Sequence, residues 1–230
     1  MDTVRLKVKR FIQEPEMAHC SLCSAASICN YFNKKNNYEM IKKVAKKIFK
    51  NIDDCGLYST ETGVLFNKIG FNSISLISSD VNALDFSWNN ISRKALIKKI
   101  SLESKRKSNE YNKFYYSLKK FLDNKNNSLI IDYSYGDHIR ESLDRGVPVW
   151  GVINWTMYFK SIKYKDDKKN DTKGISENHA VVFYGYNDFG VYVLDSRQYE
   201  EKGYKNGRYF IDWENLHAVM GFGDLLILNV

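Results

Sequence analysis

Three cysteines fall within ten positions of one another in FIQEPEMAHCSLCSAASICNYF, residues 11–32: Cys20, Cys23 and Cys29, preceded by Gln13 and His19. A thiol in such a setting can ligate a metal, close a disulfide or attack a carbonyl carbon. Attack needs the thiolate, and a helix N-terminus and a neighbouring imidazolium are the two commonest ways to lower a thiol pKa. Cys23 meets the first condition. Directly behind it, Ala25, Ala26, Ile28, Cys29 and Phe32 stand at helical spacing, so its sulfur is expected at the positive end of that helix. Cys29 belongs to the helix interior and reads as packing.

The imidazole must come from a distant segment. His179 opens NHAVVFYGYNDFGVYVLDSR, which reads as two strands and a turn, with Gly185 and Gly190 able to take the angles a tight connection needs. A hairpin centred on Asn187 would set His179 directly opposite Asp195, within reach across an antiparallel ladder, and a register slip would part them. An aspartate in that position fixes the imidazole tautomer and stabilises the imidazolium. The oxyanion donors are expected to be the Cys23 backbone N–H and the Gln13 carboxamide. His19, His138 and His217 are expected to be structural, His138 in the first turn of a helix capped by Ser134 or Asp137.

Other uses of these cysteines fit less well. Cys20 and Cys23 form a CxxC, but no second CxxC or HxxxH follows at zinc-site spacing, so no metal and no cofactor is expected. A redox dithiol of thioredoxin type would be followed by a βαβ pattern, which is missing. Four cysteines in 230 residues are too few for a disulfide scaffold, and the N-terminal MDTVRLKVKR leads into no apolar signal region. The thiols are therefore expected to stay reduced, in the cytoplasm or after export by a route without a cleavable signal. No apolar run is long enough to span a bilayer. The formal charge of +8 rests on 35 basic residues, 27 of them Lys and 8 Arg, a balance unlike that of nucleic-acid readers, so nucleic acid is not an expected partner.

The elements that must position these groups follow an α+β plan. Ile41, Val44, Ala45, Ile48 and Phe49 mark an amphipathic helix over 38–50, TETGVLFNKIGF a short helix with a glycine stop, and 92–122 a further helical region. After a strand at 73–78, the second half is rich in β-branched and aromatic runs: SLIID, VPVWGVIN, HAVVFYGY, VYVLD, RYFID and DLLILNV, which predict an antiparallel sheet. Residues 163–177, KYKDDKKNDTKGISE, read as an exposed mobile loop. One domain over 1–230 is expected, its helical half at about 14–125 and its β half at about 126–230.

CSLCSAAS, followed far downstream by NHAVVFYGY and VLDS, resembles the papain-like cysteine peptidases, in particular the bacterial branch of bacteriocin-leader peptidases. The resemblance covers most of the chain, with TETGVLFNKIGF, RGVPVWGVIN and YFIDWENL similar to further family elements. It implies a helical half packed against an antiparallel half-barrel, with the site in the cleft between them. It also implies a peptide or protein substrate, cleaved through an acyl-enzyme with Cys23 as nucleophile, His179 as base and acid, Asp195 as orienting carboxylate and Gln13 as oxyanion donor. Two departures stand out. Ser24 follows Cys23 where the family usually has Gly or Trp, and the gap from Gln13 to Cys23 is long, whereas counting to Cys20 gives seven; Cys20 is thus a rival nucleophile. Leader peptidases of this branch are normally joined to a membrane transporter, which these 230 residues do not include, so leader processing is not implied. The same triad could serve an acyltransferase or transglutaminase, or a deamidase, and the fold could serve as a non-catalytic binding module.

Overall fold

The computed structural model describes residues 3–14, 17–34, 37–50, 52–106, 109–165, 168–198, 206–221 and 223–230. After β1 (Val4–Arg5) come α1 (Cys20–Tyr31), α2 (Tyr38–Ile48), α3 (Ile52–Cys55), α4 (Ser59–Ile69), β2 (Ile74–Ser78), α5 (Arg93–Arg106), α6 (Asn109–Asp123), β3 (Ser128–Ile131) and α7 (Tyr135–Asp144). The second half runs β4 (Val149–Asn154), α8 (Trp155–Tyr158), β5 (Tyr164–Lys165), β6 (Lys168–Lys169), β7 (Asn178–Asn187), β8 (Gly190–Asp195), β9 (Arg208–Asp212), α9 (Trp213–Met220) and β10 (Asp224–Leu228). The expected helical period over 92–122 is divided between α5 and α6. The lysine-rich segment carries the small β5–β6 pair, so it is not wholly irregular. Residues 166–167 of that segment lie outside the described residues.

The large sheet runs β3-β2-β10-β4-β7-β8-β9, with β1 added to β7, and is antiparallel except where β2 meets β3. Helices cover both faces. Leu22, Ala26, Ile41, Leu65 and Leu118 from the early helices pack with Ala180, Val182 and Tyr184 on one side; Ile139, Leu143, Leu216 and Met220 from α7 and α9 pack with Val181 and Phe183 on the other. A strand buried on both faces needs apolar residues at consecutive positions, which is why HAVVFYGY lacks the alternation of a half-wet strand. The architecture is the expected α+β plan, with the early helices packed on an antiparallel-rich sheet.

The β7–β8 hairpin departs from the expected register. Its turn is Asp188–Phe189 rather than Asn187, because the Asn187 side chain accepts from Phe189 N–H at 2.9 Å and from Gly190 N–H at 3.2 Å. From Asn187↔Gly190 to Gly185↔Tyr192 the pairing continues regularly, and extended unchanged it would bring Asp195 opposite Val182, on the wrong face for His179. A bulge between Phe183 and Gly185 absorbs one residue, so that Asp195 opposes Val181. His179 is then the diagonal neighbour on the same face, a separation that long side chains bridge.

Helix α1 begins at Cys20 rather than behind Cys23, because tertiary contacts at His19, described below, set its start. Ser24, one turn along from Cys20, donates its hydroxyl to Ala180 O at 3.0 Å. Ala25 and Ala26, both fully buried, let the helix backbone approach its neighbours closely. Cys20 and Ser24 thus share the helix face that meets the start of β7. Ser24→Leu would overpack this contact, so a loss of about 1–3 kcal/mol is expected in urea unfolding.

Candidate active site

His179 is 4% exposed and Asp195 fully buried, and they meet at 2.6 Å through His179 Nε2 and Asp195 Oδ1. The second group that acts on the imidazole, by its charge and by side-chain hydrogen bonding, is the Cys20 thiol. The structure therefore joins His179 with Asp195, as expected from the strand pattern, and places the thiol of Cys20 beside them, not that of Cys23.

Burial alone would push the Cys20 thiol up, but the His179 charge and hydrogen bond, the Ala180 backbone and the Ser21 hydroxyl outweigh it and hold the pKa below the ordinary 9.0. The reciprocal effect appears at His179. Burial disfavours its charged form, yet Asp195 and the Cys20 thiolate raise its pKa above the usual 6.5. Cys20 is also the first residue of α1, where the helix dipole favours an anion.

Cys23 lies one turn deeper and is 0% exposed. Burial first, then the charges of Cys20 and Glu14, push its thiol up to about 12, so it stays protonated at neutral pH. Its backbone N–H is spent within the helix, on His19 O at 3.0 Å, and is not free for an oxyanion as the sequence reading had expected. Cys29 packs in the core, its thiol likewise raised to about 12 by burial.

Asp195 accepts two more hydrogen bonds, from Arg197 N–H at 2.8 Å and the Tyr209 hydroxyl at 3.1 Å. Burial would raise its pKa, but the His179 charge and these bonds keep the carboxyl below its ordinary range. Tyr209 reaches it by the same diagonal geometry, since Val193↔Tyr209 is the neighbouring pair on the β8–β9 ladder. Arg10 braces the backbone beneath, donating Nε to Asp195 O at 2.6 Å and Nη2 to Arg197 O. Gly207, at φ +69°, allows that approach: an added Cβ would lie 2.3 Å from the Arg10 guanidinium. Arg197 then crosses to Glu177 at 2.9 Å and lies 4.9 Å above the Trp155 ring. Trp155 is itself only 1% exposed.

Gln13 sits beside this assembly. Its N–H donates to Ser196 O at 2.9 Å, next to Asp195, while its side-chain Nε2 donates to Met17 O. His19 is fully buried, bonded through Nδ1 to the Tyr38 hydroxyl at 2.6 Å and through Nε2 to Asp53 Oδ1 at 2.8 Å; Lys46 reaches Asp53 Oδ2 at 2.7 Å. These partners engage the side chain of the N-cap residue of α1, which therefore makes no side-chain cap to the first-turn N–H groups. Tyr209, Arg10, Arg197 and the His19 network were not found by reading the sequence. Only Tyr209 left a signal, two positions along an alternating strand from a residue that pairs beside Asp195. His138 pairs with Asp132 at 2.9 Å as part of the α7 entry, and the described residues hold no group of three or more His, Cys, Asp or Glu suited to a metal.

No family model and no curated protein sequence matches the chain. Among solved structures, it resembles a crystal structure from Bacillus anthracis described, provisionally, as a C39-like peptidase, with 15% identity and a TM-score of 0.51 over 100% of this chain and 99% of the other. At that identity the likeness establishes the fold alone: this chain shares the α+β architecture of that structure, in keeping with the papain-like arrangement expected from the sequence. No helix among the described residues is long and apolar enough to cross a membrane.

The electrostatics give a direct expectation for thiol chemistry. Alkylation by iodoacetamide at neutral pH should fall on Cys20 and persist well below the pH at which an ordinary thiol is protonated. In His179→Ala the two largest causes that lower the thiol pKa are gone and only the Ala180 backbone and the Ser21 hydroxyl oppose burial, so the titration of the alkylation rate should move up.

Proposed function

We propose that this protein is a cysteine peptidase in which Cys20 takes the nucleophilic role that the sequence pattern had suggested for Cys23. The observation that carries the reading is the line Cys20–His179–Asp195 at the head of α1, in which the thiol pKa is depressed and the imidazole pKa raised. The resemblance to a structure described as a C39-like peptidase supports a peptide or protein substrate.

The Cys20 thiolate attacks the scissile carbonyl carbon. As the tetrahedral oxygen gains charge, it is met by the Cys20 backbone N–H in the first turn of α1 and by Gln13 Nε2, which exchanges Met17 O for the substrate. The His179 imidazolium gives its Nδ1 proton to the departing amine, leaving an acyl thioester on Cys20. Neutral His179 then takes a proton from water, the hydroxide attacks the thioester, and the carboxylic acid leaves as the Cys20 thiolate and His179 imidazolium re-form. Throughout, Asp195 holds the Nε2 proton, which fixes both tautomer and ring direction.

The roles separate by mutation in a peptide-library cleavage assay. Cys20→Ala should lose on the order of 10⁴-fold or more, and Gln13→Ala about 10²–10³-fold in kcat. Cys23→Ala should cleave at a rate close to the unmodified protein's. Equal loss in Cys20→Ala and Cys23→Ala, both folded by circular dichroism, would remove Cys20 from the nucleophilic role.

The pH profile has a definite sign. A thiol with a lowered pKa keeps its charge as pH falls below 9.0, and an imidazolium with a pKa raised to about 10 keeps its charge as pH rises above 6.5, so the ion pair is populated from the lowered thiol pKa up to the raised imidazole pKa. Values of kcat/KM should form a bell, with its acid limb set by Cys20 and its alkaline limb by His179. A single rise through the ordinary thiol range would contradict the ion pair.

A further inference from the structure

Cys20 and Cys23 stand at the first and fourth positions of one α-helix. That spacing separates their Cα atoms by about 5 Å in regular helix geometry, inside the 4.4–6.8 Å range found in disulfides, and an adjustment within the first helical turn brings the Cβ atoms to bonding range. Cys20 is half-buried, whereas Cys23 has no exposed surface, so a reagent from solvent meets the first sulfur before the second. The charge of Cys20 acts on Cys23, and the two differ in the sense that suits a stepwise exchange: an outer thiolate and an inner thiol. Cys29 lies six residues beyond Cys23, about 9 Å further along the helix axis, out of reach of either. The peptidase reading gives Cys23 no part in the chemistry.

We propose that Cys23 is a resolving cysteine: under peroxide, Cys20 and Cys23 form a reversible disulfide that switches the site off and protects its nucleophile. The inference rests on Cys20 being the reactive thiol. In the first step the Cys20 thiolate attacks a peroxide oxygen, the O–O bond breaks, and Cys20–SOH and hydroxide form. In the second, the Cys23 sulfur displaces that hydroxyl, its thiol proton leaves with it as water, and the S–S bond forms. Both sulfurs are oxidised at the expense of one hydrogen peroxide, and two electrons from a dithiol reductant restore the pair. Without a partner, the sulfenic acid proceeds to sulfinic and sulfonic acids, which a dithiol does not reverse.

The test uses the full chain, reduced, then treated with stoichiometric hydrogen peroxide and afterwards with dithiothreitol. In a Cys29→Ala background, the tryptic peptide Phe11–Lys34 should lose two hydrogens after peroxide and regain them on reduction, with iodoacetamide labelling of Cys20 lost and recovered in step. In Cys23→Ala the reduced protein should label at Cys20 as before, but peroxide should add oxygen irreversibly, leaving roughly tenfold less recoverable labelling. Cys23→Ser serves as the second variant if the alanine form does not fold. Equal recovery with and without Cys23, or a bond mapped to Cys55, would overturn the proposal. If reduced Cys20 does not label at neutral pH, the peptidase reading itself fails; labelling without the Cys20–Cys23 bond defeats the switch alone.

Discussion

A carboxylate without exposed surface, Asp195, is the constraint from which the rest of the site follows. Removing a charge from water costs several kcal/mol unless partners replace the solvent, and here an imidazole, a backbone N–H and a phenol do so. The only cationic member of that set is His179. Its imidazolium in turn demands a counter-charge on its other side, where Cys20 is held, and the thiol becomes the third member of an alternating line. Each of these groups would be costly to bury alone; together they account for both the lowered thiol and the raised imidazole pKa.

That line needs three elements to arrive at one place. The bulge in β7 returns Asp195 to the face of His179, the buried His19 with Tyr38 and Asp53 determines where α1 begins, and Ser24 with the small residues after it sets how closely α1 lies to β7. None of the three is a reacting group. All three act on position, where a displacement of about 1 Å is enough to lose much of a catalytic rate.

The parts of this arrangement set by local pattern are legible in the sequence. The main strands, the amphipathic α2 and the glycine that ends α4 follow from periodicity and turn chemistry. What could not be read depends on tertiary contacts. The run of small residues behind Cys23 looks like a helix start by propensity, but the actual start is fixed by a buried histidine whose partners lie 19 and 34 positions away. One turn of helix decides which sulfur faces the imidazole. The hairpin shows a related effect: its turn is displaced and its bulge restores the side, so the pair forms by a route that a simple count between residues does not give.

The account stands on a charge located at one sulfur, and an ultraviolet titration of the thiolate band measures it most directly. The unmodified protein and Cys23→Ala should each show one thiolate at neutral pH, absent from Cys20→Ala and removed in acid from the first two. A neutral-pH thiolate that survives Cys20→Ala and vanishes in Cys23→Ala, or none before the alkaline range, would contradict it.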